Sequence, residues 1–121
     1  MENHKLVMLQ HLNHYGFLFG GDLLKWVDEY AYVAATMDYV GSNFVTVAMD
    51  KVVFRKSVRE GAILKFIVEK TKEGTTSVQY VVKVYHGNSG KENDLIFSTG
   101  VTLVSVDERG RKISLPDRET N

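Results

Sequence analysis

The chain contains no cysteine, so disulfide staples, thiolate metal sites and cysteine nucleophiles are excluded together. It has a single proline and no low-complexity stretch, which argues against a linker-rich chain. Neither sign of charge is in excess: fifteen Lys and Arg face fifteen Asp and Glu, for a formal net charge of zero. Proteins that grip nucleic acid ordinarily carry a basic surplus for the phosphates, so no nucleic-acid partner is expected. Long hydrophobic runs are missing too. Nothing approaches the ~18 apolar residues of a membrane span, and the apolar stretch between Lys5 and Gln10 is short for a signal peptide. No membrane span and a cytoplasmic location are therefore expected. Also absent are a G-x-S-x-G elbow, a G-x-x-x-x-G-K-[ST] loop and an H-E-x-x-H helix. Serine-hydrolase, P-loop and zinc-protease readings lose their usual support.

What is present is an ordinary globular composition, 44% hydrophobic and 25% charged over 121 residues. That length predicts one domain burying roughly two-thirds of its unfolded surface. The core is expected over about residues 5–107, with a polar tail over 108–121. Residues 5–10 read as a short strand, and His11–Gly16 as a loop. Gly20-Gly21 opens a helical stretch, Asp22–Met37. At ~100° per residue, Leu23, Val27, Ala31 and Ala34 share one side of that helix. Trp26, Tyr30 and Val33 flank it one way, Leu24 and Ala35 the other, and only Lys25, Glu29 and Thr36 form a polar strip. An apolar arc this wide predicts a central helix covered on most sides.

Four strand-like runs follow. Residues 43–56 are apolar on both faces, which predicts burial on both sides. Ala62–Val68 and Val78–Val84 alternate with more polar neighbours, and 95–106 is the last strand. Short connections favour antiparallel pairing. The fold class is therefore α+β, a curved antiparallel sheet of about five strands wrapped around one long helix. Because 43–56 needs cover on its outer face, a dimer joining two sheets edge to edge is expected.

Several residues invite a chemical reading. Asp28 sits mid-helix at the border of the apolar arc; it is either a solvated helix aspartate or a desolvated carboxylate suited to general-base work. Gly20-Gly21 is either a flexible turn or an entry that lets a carbonyl approach the unpaired N–H groups of the helix N-terminus. Asp28 lies ~10 Å further along the axis, so one chain alone does not bring the two together. Asn13 is either a turn residue or a hydrogen-bonding site residue. His11 and His14 form an H-x-x-H pair with no third ligand at a recognisable spacing, so no metal is expected. Lys51, Arg55, Lys56 and Arg59 make a basic cluster at a strand end, and Gly74-Thr75-Thr76-Ser77 is a turn with small hydroxyl side chains.

Two segments carry a resemblance. Asn13-His14-Tyr15-Gly16-Phe17-Leu18-Phe19-Gly20-Gly21, running on to Trp26-Val27-Asp28-Glu29, is similar to the N-x-x-G-x-[hydrophobic]-[FH]-G-G pattern and following aspartate of the hotdog-fold acyl-CoA thioesterases. Thr46-Val47-Ala48-Met49-Asp50-Lys51-Val52-Val53-Phe54 resembles the T-V-A-x-D-x-[hydrophobic]-x-F strand of the same family, whose group includes the bacterial cytoplasmic and brain acyl-CoA hydrolases. The chain departs from the family pattern in lacking a proline and an acidic residue just before Asn13. It departs again in reading Lys56-Ser57-Val58-Arg59-Glu60-Gly61-Ala62 where K-P-V-x-x-G-D is common.

The resemblance implies a hotdog fold and hydrolysis of acyl-CoA to free acid and CoA. It implies Asp28 as general base or nucleophile, Asn13 contributed by the partner subunit, and the Gly20 or Gly21 N–H polarising the thioester carbonyl. It further implies CoA contacts at Lys56, Arg59 and Gly74–Ser77 (Gly74, Thr75, Thr76, Ser77). No cofactor is implied beyond the CoA of the substrate, and the unit is a homodimer or a tetramer or hexamer built from it. A hotdog hydratase or dehydratase is the nearer rival, but it normally wants a histidine on the helix, which is missing here. A non-catalytic acyl-CoA or small-molecule binding module is the other.

Overall fold

The computed structural model describes residues 1–116. Strand β1 (Glu2–Leu6) leads through a 3-10 turn (Leu9–His11) to helix α1 (Gly20–Asp38). Strands β2 (Asn43–Phe54), β3 (Ile63–Glu73), β4 (Ser77–His86) and β5 (Leu95–Val106) follow. They form one five-stranded sheet in the order β1-β3-β4-β5-β2, every neighbouring pair antiparallel. This is the α+β arrangement of one helix on one antiparallel sheet expected from the sequence.

Alternation along the strands builds the floor of the core. Leu64, Phe66 and Val68 of β3 are buried, as are Val78, Tyr80, Val82 and Val84 of β4. The register sets Phe66 opposite Val84, and Val68 opposite Val82, so the apolar side chains meet on one face. The helix covers that face with Leu23, Trp26, Val27, Ala31, Ala34 and Ala35. The alanines keep the backbone close to the sheet, and the Tyr30 ring packs 4.8 Å from that of Phe66. Each fully buried Leu or Phe of this set stabilises the fold by roughly 1.5–3 kcal/mol.

The structure departs from expectation in five places. The first strand spans Glu2–Leu6 rather than residues 5–10. Val7, the residue just after it, is buried and held by Val7 N donating to Ala62 O and Gly61 N to Val7 O, both 2.9 Å. The exposed Met8 and Leu9 that follow belong to the turn. The helix starts two residues early and takes in both glycines. Its cover is also narrower than the wheel implies, since Val33 of the apolar arc remains exposed. Strand β2 is not buried on both sides: Phe44 alone falls in the core, while Val45 and Val47 are 45% and 55% exposed. The reason is topological, because β2 is an edge strand with no layer of its own chain beyond it.

Finally, the segment after β5 stays on the domain. Asp107 accepts bonds from the Arg109 and Arg111 amides, Ile113 N donates to Ser105 O, and Leu115 N donates to Thr75 O. The rest of the expected tail, residues 117–121, lies outside the described residues.

The ladder between β2 and β5 is broken twice, between Thr46 and Ala48 and between Asp50 and Val53. The second irregularity holds Lys51 at φ +51°, a left-handed conformation uncommon outside glycine. The buried Thr99 hydroxyl caps it by donating to Asp50 O at 2.7 Å.

Candidate active site

Asp28 lies on the side of α1 that the sheet leaves open. It is half-buried, and its Oδ1 accepts a hydrogen bond from Thr46 Oγ1 at 2.5 Å. Bonds to a charged acceptor are short and strong, so the threonine fixes the carboxylate's orientation. Among the described residues Oδ2 has no partner and is left for an incoming proton or carbonyl. Both groups line a groove of about 580 Å³ between α1 and the start of β2, with Glu29, Tyr32, Val33, Phe44 and Val45. The structure thus sets Asp28 in a partly apolar groove rather than on a fully solvated face.

Thr46 gains its place from the register. It sits opposite Leu103 of β5, whose side chain is buried in the core, so both point toward the helix. Thr46 opens the strand motif Thr46–Phe54, and nothing in the order of residues alone gives it a role. A signal was there all the same, since a hydroxyl on the inward face of an apolar strand needs a partner.

Asn13 heads the loop into the helix. Its Oδ1 accepts from Tyr15 N at 2.9 Å and Phe17 N at 3.2 Å, while Asn13 N donates to Phe17 O at 2.7 Å. The side-chain carbonyl is therefore spent on holding the loop, which leaves the Nδ2 amide, a donor only, as the side chain's remaining hydrogen-bonding group. Phe19 N then donates to His11 O at 2.9 Å, which fixes the entry to α1.

Gly20 and Gly21 occupy the first two helical positions, where backbone N–H groups have no intrahelical acceptor; the Phe19 carbonyl instead serves Asp22 N and Leu23 N. Close packing bears on only one of the glycines. A Cβ on Gly21 would stand 2.6 Å from the exposed Phe19 ring, whereas one on Gly20 would meet the Phe54 ring at an ordinary contact distance of 3.4 Å. These donors and Asp28 remain about 10 Å apart along the axis, so a single chain does not complete the constellation.

The expected CoA contacts are split as well. Arg59 stacks on the Phe17 ring at 4.5 Å, beside the Asn13 loop. Lys56 is engaged by Asp94, a largely buried carboxylate. That bond, with help from Ser89 and the charge of Lys91, holds Asp94 below the usual carboxylate range. Gly74–Ser77 forms the β3–β4 hairpin, next to Glu73, which accepts a bond from Tyr39 just past the C-terminal end of α1. Helix N-terminus and hairpin therefore lie at opposite ends of a 19-residue helix, a length of nearly 30 Å. Among the described residues no cluster of three or more His, Asp or Glu stands in metal-binding geometry.

A family model described as the Thioesterase superfamily matches residues 15–92. An uncharacterised acyl-CoA thioester hydrolase of Bacillus subtilis, YkhA, is 32% identical over 108 residues, covering 86% of this chain and 60% of that protein. The chain thus spans less than two-thirds of that relative's length. The acyl-CoA hydrolase of Staphylococcus aureus, solved with butyryl coenzyme A, superposes with a TM-score of 0.87 at 29% identity, over 96% of this chain and 71% of that one. A hexameric thioesterase from Yersinia pestis gives 0.87 at 26% identity, over 95% and 93%. The strand–helix–sheet order, the helix aspartate bound to a strand threonine and the match over residues 15–92 agree: this chain belongs to the thioesterase superfamily.

Proposed function

We propose that this chain hydrolyses acyl-CoA to a free carboxylic acid and CoA, with Asp28 as its catalytic carboxylate. The observation that carries the reading is the 2.5 Å bond from Thr46 to Asp28 in a groove on the open side of the helix. Acting as a base, Asp28 takes a proton from water while the hydroxide adds to the thioester carbonyl; the C–S bond then breaks and the proton passes to the departing thiolate. Acting as a nucleophile, it forms a mixed anhydride with loss of the thiolate, and water opens the anhydride. Either course develops negative charge on the carbonyl oxygen, which the Gly20 and Gly21 N–H groups are suited to receive. Water is the only co-reactant, and CoA is part of the substrate.

The ~10 Å between those donors and Asp28 is bridged if two copies associate, each supplying Asn13 and a helix N-terminus to the other's Asp28. The free edge of β2 and the exposed Val45 and Val47 favour a homodimer joined there, and the Yersinia relative is described as a hexamer. The Staphylococcus enzyme has been solved with an asparagine, an aspartate and a threonine each replaced by alanine. Its asparagine and aspartate are fifteen residues apart, the spacing of Asn13 and Asp28 here. Arg59 and the Gly74–Ser77 hairpin are proposed for the CoA phosphates, and Lys56 joins them only by sharing its bond to Asp94. A cytoplasmic location belongs to the same proposal; among the described residues no helix is long and apolar enough to cross a membrane.

Release of free CoA from a panel of acyl-CoAs tests the reading, with Asp28→Asn alongside. Turnover should fall at least ~10²-fold in the variant while fold and assembly persist. Saturable binding of the esters without turnover by the unmodified protein would favour a binding module instead.

A further inference from the structure

The groove beside Asp28 has a polar end and an apolar end. Asp28, Glu29 and Thr46 make the first; Val33, Phe44 and Val45 lie along the rest. Every helix residue lining it stands at or beyond Asp28 in the chain. On β2 the lining runs from Thr46 back to Phe44, whose ring lies 5.9 Å from that of Tyr39 just past the end of α1. The groove therefore leads from the carboxylate toward the helix C-terminus. A thioester with its carbonyl at Asp28 has one apolar direction in which to lay its acyl chain.

Tyr32 lines the groove in that direction. It follows Asp28 by four residues, so it lies on the same helix face one turn on, about 6 Å along the axis. Its side chain lines the groove and is 43% exposed rather than committed to the core. We infer that Tyr32 sets the acyl-length limit and that the substrates are short-chain acyl-CoAs; this rests on the thioesterase reading above. An extended acyl chain advances about 1.25 Å per carbon, given C–C bonds of about 1.5 Å. The ~6 Å between carboxylate and ring then admits about four or five carbons. Past the ring, the next residue on that face is the smaller Thr36, so removal of the phenol opens roughly another turn.

The test is kcat/KM for butyryl-CoA and octanoyl-CoA with the unmodified protein, Tyr32→Phe, Tyr32→Leu and Tyr32→Ala. The unmodified protein and Tyr32→Phe should both favour butyryl-CoA by at least ~10-fold, because the ring and not the hydroxyl is the stop. Tyr32→Ala should erase or invert that preference, each newly buried methylene adding about four-fold, with Tyr32→Leu between. Tyr32→Leu carries the test should Tyr32→Ala fail to fold. A preference for octanoyl-CoA in the unmodified protein, or an unchanged ratio in the folded Leu and Ala variants, overturns the assignment while leaving the thioesterase reading intact. Absence of turnover on both esters by the unmodified protein overturns both together.

Discussion

Strands β4 and β2 belong to one sheet and are both rich in apolar residues, yet they end in opposite surroundings. β4 is paired on both sides, and Val78, Tyr80, Val82 and Val84 are buried beneath the helix. β2 is paired only with β5, and of its apolar residues Phe44 alone is buried. The helix repeats the contrast, with Val27 and Ala31 fully buried on one side and Tyr32 and Val33 exposed on the other. An apolar pattern therefore records what a strand is finally covered by, and the cover need not come from its own chain. In this molecule the uncovered half is also the half that holds Asp28.

The most severe way to break the contrast is Val47→Lys. If a second copy covers β2, the variant buries an unpaired charge there, a loss of roughly 3–5 kcal/mol. Dissociation to single chains, read by sedimentation or light scattering, and loss of CoA release should then appear together. If nothing covers β2, the variant behaves as the parent.

Leu103→Ala probes the closed half. Leu103 is fully buried, so its truncation should destabilise the fold by about 2–5 kcal/mol. Val47→Ala in isolated chains should change stability by no more than about 0.5 kcal/mol. Denaturant titrations over a range of protein concentrations separate the two, because only the Val47 effect should grow with concentration.

Thr46→Val tests the seam between the halves. It keeps the shape and removes a hydrogen bond to a charged group, a loss of about 1.5–3 kcal/mol. CoA release should drop roughly 10- to 100-fold, with the drop in kcat rather than KM if Thr46 positions the carboxylate.

The smallest effect belongs to Lys56→Met. Asp94 is held below its ordinary value chiefly by the Lys56 bond, so the pair stabilises the folded chain above the unfolded aspartate's value of about 4. That contribution is lost as pH falls through the lower value in the folded chain. The melting temperatures of parent and variant should accordingly differ slightly at pH 7 and converge in acid.

Much of this was legible in the sequence, and the illegible part has a common cause. Local signals held where one chain supplies both partners. Alternation placed β3, β4 and β5, the last with the boundaries the structure gives, and the helical wheel picked out Leu23, Val27, Ala31 and Ala34. Asp28 was singled out because a carboxylate stood at the border of an apolar arc, and the groove places it at such a border. What sequence could not carry was register. Nothing in the order of residues says that Thr46 lies against Asp28, or that Asp94 engages Lys56 from a loop 38 positions away. The same gap explains the misplaced first strand, whose limits come from its pairing with Ile63–Ile67 and not from its own apolar run. It also explains Asn13, which sequence left as donor and acceptor alike; the loop consumes its acceptor.

An unpaired sheet edge is a template, and templates invite copying without end. The two irregularities in β2, with Lys51 turned left-handed between Asp50 and Val53, cut that template into short stretches that do not line up with one another. A flat, regular strand slides past its neighbour and adds a third, then a fourth. A kinked one matches a second kinked copy in few registers, and a two-fold match uses up the edge it was made from. The kinks thus favour an assembly that stops growing over one that becomes a fibre.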